Sequence, residues 1–211
     1  MKKVLIAALS LPLLLSACNL VKNKSNTSSN SGTSSTTTSS EETIDDPILL
    51  GGIQALNQRN AFMTYTMTIL GMPDSYEFEI DGMIVLSEGV YYDYRQAASG
   101  TAWQYEYDNV HDNYVKSAID LSAEPLWSVF ITRETFKASE YTFDSNEGAY
   151  IMKESACAAH GMKSCSMEID YDGNVLDDIG FEFVTTDDLE MSAVYERFGE
   201  ASVTLPTNVA P

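Results

Sequence analysis

The sequence predicts an α+β fold, mostly β, built from an antiparallel sheet and two helices. Three observations carry that expectation. Apolar side chains recur at every second position in segment after segment between Ala61 and Tyr195, which is the pattern of strands with one buried face. Turn-forming pairs such as Asp172-Gly173 stand between those segments at hairpin spacing. Two stretches only, Pro47 to Arg59 and Ser122 to Ile131, shift to helical spacing. At 211 residues, with 44% hydrophobic and 20% charged side chains, the chain has the composition of one globular domain plus an appendage, and not of a disordered chain, a collagen or a multi-span membrane protein.

The appendage comes first. Lys2 and Lys3 precede an apolar run from Val4 to Leu15, and Leu15-Ser16-Ala17-Cys18 follows directly. Small residues before a cysteine, at the end of a run too short to span a bilayer comfortably, resemble the lipobox of bacterial lipoproteins. That resemblance implies removal of residues 1–17 and acylation of Cys18 as the new N-terminus, which places the protein on the extracytoplasmic face of a cell membrane. The chain carries 12 basic and 31 acidic residues, a net charge of −19. Removing two of the lysines leaves 10 basic against 31 acidic, or −21. A body so acidic is repelled by nucleic-acid phosphates and by anionic headgroups alike, so nucleic-acid binding is excluded and the acyl chains must supply the membrane anchor. From Ser25 to Ser40 every residue is Ser, Thr or Asn apart from Gly32. With no apolar side chain to offset its ordering entropy, residues 18–46 form a disordered tether with a reach of about 30 Å.

Residues 47–211 form the single domain. Asp46-Pro47 supplies an N-cap and a first-turn proline, and Leu49, Ile53 and Leu56 share one face of a helix that Gly51 and Gly52 weaken. Strands follow: Ala61 to Ile69 with Met63, Tyr65 and Met67 inward; Tyr76, Phe78 and Ile80; Val90 to Tyr94; Trp103, Tyr105 and Tyr107; and Asn113 to Ala118. Ser122 to Ile131 interrupts them with a serine cap, Pro125 in the first turn and a Leu126, Trp127, Phe130, Ile131 stripe, the signature of an amphipathic helix. Phe136 to Phe143 and Ala149 to Cys157 read as extended. Cys165, Met167, Ile169 and Tyr171 alternate up to the Asp172-Gly173 turn, after which Ile179, Phe181 and Phe183 return and Leu189 to Tyr195 ends the pattern. About nine antiparallel strands result.

This order, with the closing Tyr195-Glu196-Arg197-Phe198-Gly199-Glu200 and Val203-Thr204-Leu205-Pro206, resembles the LolA-like lipoproteins of the LppX/LprG type over residues 47–211. The resemblance implies a strongly curved antiparallel sheet, an incomplete barrel, with helices against its concave face and a cavity able to hold acyl chains or lipoproteins. Met63, Met67, Met167 and Met191 fall at core-facing phases, and flexible thioethers suit a cavity for variable alkyl chains as well as an irregular core. With Trp127 and Phe130 they are the candidate ligand-pocket residues.

Catalysis finds little support. His111 and His160 lie in turn-like surroundings, and no nucleophile-elbow, zinc-protease or phosphate-loop motif occurs. Asp170-Tyr171-Asp172-Gly173-Asn174 has its glycine at the wrong position for a calcium loop and fits a hairpin turn. No cofactor or metal is expected. Cys157 and Cys165 are the two thiols left once Cys18 is acylated, and with Gly161 midway between them they are expected to face each other across a hairpin as a disulfide. Reduced buried cysteines, or a metal site with His160, are the alternatives. The functional expectation is a membrane-anchored, non-enzymatic lipoprotein that carries or senses an apolar ligand such as a lipid. The alternative is a surface module that binds a protein partner through an acidic, tyrosine-rich face.

Overall fold

Asp46 starts the first helix as its sequence position predicts. In the computed structural model, which describes residues 45–121 and 136–210, its carboxylate accepts hydrogen bonds from the amides of Ile48 (3.0 Å) and Leu49 (3.2 Å) at the head of α1 (Pro47–Gln58). Leu49, Ile53 and Leu56 are buried together with strand residues. Gly51 and Gly52 lie where α1 meets a later strand. A Cβ on Gly52 would come within 2.6 Å of Ile169 Cδ1, and one on Gly51 within 2.6 Å of the Tyr171 hydroxyl. The glycines cost helix propensity and permit close approach.

All the described strands belong to one curved antiparallel sheet that does not close. Six strands run as a meander: β1 (Asn60–Ile69), β2 (Met72–Asp81), β3 (Ile84–Ser87), β4 (Val90–Asp93), β5 (Ala102–Asp108) and β6 (Asn113–Ile119). Five more form a second meander: β7 (Tyr141–Asp144), β8 (Ala149–Met152), β9 (Met162–Asp172), β10 (Val175–Thr185) and β11 (Glu190–Glu196). Pairing of β1 with β11 joins them, giving the order β6-β5-β4-β3-β2-β1-β11-β10-β9-β8-β7. The edge strands β6 and β7 are therefore neighbours in sequence and opposite ends of the sheet. Tyr150 on β8 donates to Asp46 at 3.0 Å, and burial, then the carboxylate, pushes its hydroxyl up to about 12. Asn60 exchanges hydrogen bonds with Ala201, and the closing segment then reaches β6, where Tyr114 pairs with Val209 in parallel.

The structure alters the expected elements in four places, the first being Phe136 to Phe143, where a 3-10 turn over Ala138–Glu140 precedes the strand. β3 adds a strand; at four residues between Gly82 and Gly89 it is too short for alternation to declare it. The stretch from Ala149 is not extended to Cys157: the strand ends at Met152, and α2 (Glu154–Ala159) takes over, because Glu-Ser-Ala-Cys-Ala-Ala is rich in helix-favouring alanine. The hairpin expected around Gly161 is consequently a helix end and tight turn leading into β9, and Cys157 and Cys165 are buried and not joined in a disulfide. The expected helix Ser122–Ile131, with Trp127 and Phe130, lies outside the described residues, as do residues 1–44 with Cys18 and most of the tether. Among the described residues no helix is long and apolar enough to cross a membrane.

Candidate functional site

Register divides the sheet's side chains between two faces with different chemistry. On the first, β1, β2, β9, β10 and β11 present an unbroken apolar surface. Met63 stands opposite Phe78 on one side and Tyr195 on the other, Phe181 stands between Ala193 and Met167, and Phe183 stands between Met191 and Cys165. Met63, Met167 and Met191 are fully or nearly buried, whereas Met67, opposite Met191, is half-buried at the margin of the same cluster. Aromatic rings knit this face together, Phe181 packing on Tyr195 and on Phe136 at 5.9 Å each.

A polar contact also crosses it. The Tyr65 hydroxyl donates to Met191 Sδ at 2.8 Å, and burial raises its pKa far above the ordinary tyrosine range. Four of the six pocket residues expected from the sequence are thus brought onto one surface. Trp127 and Phe130 lie outside the described residues.

Cys157 and Cys165 belong to the same buried cluster. The Cys157 thiol donates weakly to the Met152 carbonyl at 3.6 Å. Burial raises its pKa, and the Cys165 amide beside its sulfur acts in the opposite sense. His111 pairs with Asp108 at 2.6 Å on the surface, and Asp172-Gly173-Asn174 forms the β9–β10 hairpin turn. Among the described residues no group of three or more His, Cys, Asp or Glu is placed to hold a metal ion.

The opposite face escaped the sequence reading, which followed the apolar positions and passed over those between them. Across five strands, Thr66, Ser192, Glu182, Ser166 and Ile151 form one row, and Glu190, Val184 and Ser164 form the next. With Asp144 and Glu147 from the β7–β8 hairpin they line a groove of about 740 Å³. A smaller hollow of about 320 Å³ lies towards β2 and β3, where the Arg197 guanidinium sits 3.4 Å over the Phe62 ring. Further along, Tyr91, Tyr107 and Tyr114 pack edge-to-face at 5.2 to 5.7 Å, the Tyr107 hydroxyl bonds Asp112, and Lys116 stacks over Trp103 at 4.2 Å. Three of the twelve tyrosines gather here, whereas Tyr65, Tyr94, Tyr105, Tyr141, Tyr150 and Tyr195 are buried.

No family model matches the chain, and no curated protein matches it. Among solved structures it is similar to a DUF1329 family protein from Desulfovibrio piger at 10% identity, covering 74% of this chain and 92% of that one with a TM-score of 0.30. A likeness that loose carries no argument about function.

Proposed function

We propose that this protein is a lipid-anchored, extracytoplasmic and non-catalytic carrier or sensor of an apolar ligand, held against the apolar face of the sheet. The observation that carries the reading is topological. The sheet stays open between β6 and β7, and the chain joining those two edges, residues 120–140, includes the amphipathic Ser122–Ile131 stretch with Trp127 and Phe130. The apolar face of the sheet bears Met63, Met67, Met167 and Met191, and methionines repack around alkyl chains of different lengths at small cost. The LolA-like resemblance implies helices against the concave side of such a sheet. Acylated Cys18 and the tether keep the domain close to the membrane from which such a ligand comes.

Native mass spectrometry of the processed chain, purified from membranes in a mild detergent, tests this directly. Co-purified lipid is expected, and Met67→Trp, which fills the margin of the apolar face, is expected to reduce it while the urea midpoint stays within the normal range for surface changes. Absence of any bound lipid in protein isolated from its own envelope would refute the proposal. The tyrosine cluster of β4–β6, flanked by Asp108 and Asp112, favours a second reading in which the same lipoprotein docks a protein partner, tyrosine being enriched at such contacts.

A further inference from the structure

Among the described strands, the β1–β2 hairpin projects beyond its neighbours. Its ladder runs as far as Ile69 opposite Met72, which leaves Leu70 and Gly71 as a two-residue turn. On one side β11 pairs with β1 only up to Met67, and on the other β3 pairs with β2 only from Glu79 onwards. The end of the hairpin is therefore a two-stranded ribbon, and every residue from Ile69 to Ser75 is exposed.

Leu70 is the outlier at its tip. It is 94% exposed with a φ of 53°, and Gly71 follows at 77°. A turn with positive φ at both central residues prefers Asn, Asp or Gly, because a larger L side chain crowds its own backbone there. Leucine forgoes that preference and is not buried in return, so neither turn geometry nor packing within the chain accounts for it. Ile69 and Met72 widen the exposed apolar surface. From Asn60 to Pro73 no residue is charged, in a chain of net charge −19. Strain and exposure that the fold does not offset point to a contact outside the chain.

Three observations select a lipid bilayer as that contact. Three side chains on a narrow convex ribbon fall far short of the roughly 800 Å² that each partner gives to a stable protein interface, whereas a bilayer needs no complementary pocket. The acidic body is repelled by anionic headgroups, so the uncharged hairpin is the part able to approach them. Reach agrees as well. Tyr150, which bonds Asp46 at the head of α1, is level with Tyr65 through Met167, Phe181 and Ala193. Leu70 lies five residues beyond Tyr65 and four strands across from Tyr150, about 17 Å along and about 19 Å across. The tether expected over residues 18–46 spans about 30 Å, so anchor and tip can meet one bilayer together.

We infer that the tip of the β1–β2 hairpin, Ile69 to Met72, inserts into the lipid bilayer as a second point of contact beside the acyl anchor. The inference rests on the proposed anchor for proximity alone. Ile69 and Met72 share a face with Met63 and Met67. Insertion therefore sets the margin of the apolar face against the acyl chains, where an apolar ligand can enter.

Coupling the processed chain through Cys18 to a maleimide lipid in phosphatidylcholine vesicles tests the insertion without assuming acylation in the cell; Cys157 and Cys165 are buried and do not compete. One tryptophan is added at the tip, Leu70→Trp, or at an exposed position at the other end of the sheet, Val175→Trp, and its emission is read as the difference from the unsubstituted chain. Leu70→Trp should shift to the blue and be quenched by phosphatidylcholine brominated on its acyl chains, and Val175→Trp should do neither. Leu70→Asn, free of lipid, should raise the urea midpoint by restoring the turn preference. Circular dichroism checks that each variant folds. Four outcomes overturn the inference: an unquenched Leu70→Trp, equal quenching at both positions, a lowered midpoint for Leu70→Asn, or emission at position 70 that shifts only when an envelope protein is added. The third would mean that Leu70 packs within the fold, and the fourth a protein pocket.

Discussion

Replacing Gly52 by alanine sets two effects of known sign against each other at the contact between α1 and β9. In a helix interior, alanine is favoured over glycine by about 1 kcal/mol. The new Cβ, however, would lie 2.6 Å from Ile169 Cδ1 and 3.3 Å from both Cγ1 and Cγ2. Rotation about χ1 moves one branch of an isoleucine away only by bringing the other in, so helix and strand must separate. Overpacking of this kind costs typically 1–3 kcal/mol, and Gly52→Ala should therefore destabilise by about 1 kcal/mol net. Gly51 provides the internal control. Its nearest obstacle is the hydroxyl end of Tyr171, a long and partly exposed side chain that can swing away. Gly51→Ala should gain close to the full propensity term, about 1 kcal/mol. The two adjacent substitutions then differ by about 2 kcal/mol, roughly 1 M in urea midpoint for an m-value near 2 kcal/mol/M. Adding Ile169→Val, which removes Cδ1, should recover part of the Gly52→Ala loss as a measurable coupling. Equal stabilisation by both alanines would refute the packing of α1 on β9, and with it the placement of the helix on the apolar face.

Four further outcomes are expected. Cys18→Ala should leave the chain unprocessed or release it from membranes; unchanged partitioning into detergent would contradict acylation there. Asp93 is held below the usual carboxylate range chiefly by hydrogen bonds from Arg95, at 2.8 and 2.7 Å, so its contribution is present above the ordinary aspartate pKa and disappears as pH falls through the lowered one. Asp93→Asn should thus cost about 1 kcal/mol at neutral pH, a modest figure because Arg95 is more than half exposed, and nothing in strong acid. Asp178 is raised, by burial first and then by Asp170, Asp177 and Glu196, so its ionisation opposes folding above the raised pKa. Asp178→Asn should stabilise by roughly 0.5 kcal/mol at neutral pH, with the gain vanishing in acid, as urea titrations at two pH values will show. Finally, Cys157 and Cys165 are buried without a disulfide between them, so both should resist alkylation in the native chain and react in urea without prior reduction; a Cys157–Cys165 linkage in non-reducing peptide maps would refute it.

Strands were legible wherever one face is buried over five or more residues. β1, β10 and β11, and β9 from Cys165 onward, alternate because each packs apolar side chains on one side and meets polar surroundings on the other. The helix cap at Asp46 was legible for a similar reason, since its contacts are local in sequence. What failed was local pattern without enough length. β3 spans four residues, and Ala-Tyr-Ile-Met followed by Lys-Glu-Ser-Ala-Cys-Ala-Ala changes from strand to helix without a glycine or proline to mark the change. A cysteine spacing that suits a hairpin also suits a helix turning back onto a strand. The pairing of β1 with β11, which closes the order of the sheet, rests on contacts between residues more than 120 positions apart, and no periodicity reports those.

The same alternation explains why the polar groove was overlooked. In β10 the residues Ile179, Phe181 and Phe183 point to the core, and Gly180, Glu182 and Val184 occupy the other face. Taken singly, each polar residue reads as a solvated position, because nothing in one strand reveals its neighbours. Thr66, Ser192, Glu182 and Ser166 acquire a common meaning only when four strands from two meanders are laid side by side in register. Period two therefore encodes two surfaces at once. The apolar one is visible in a single segment because burial imposes the same kind of side chain on every strand, whereas a groove on the polar side depends on different residues meeting across strands and becomes readable only with the pairing known.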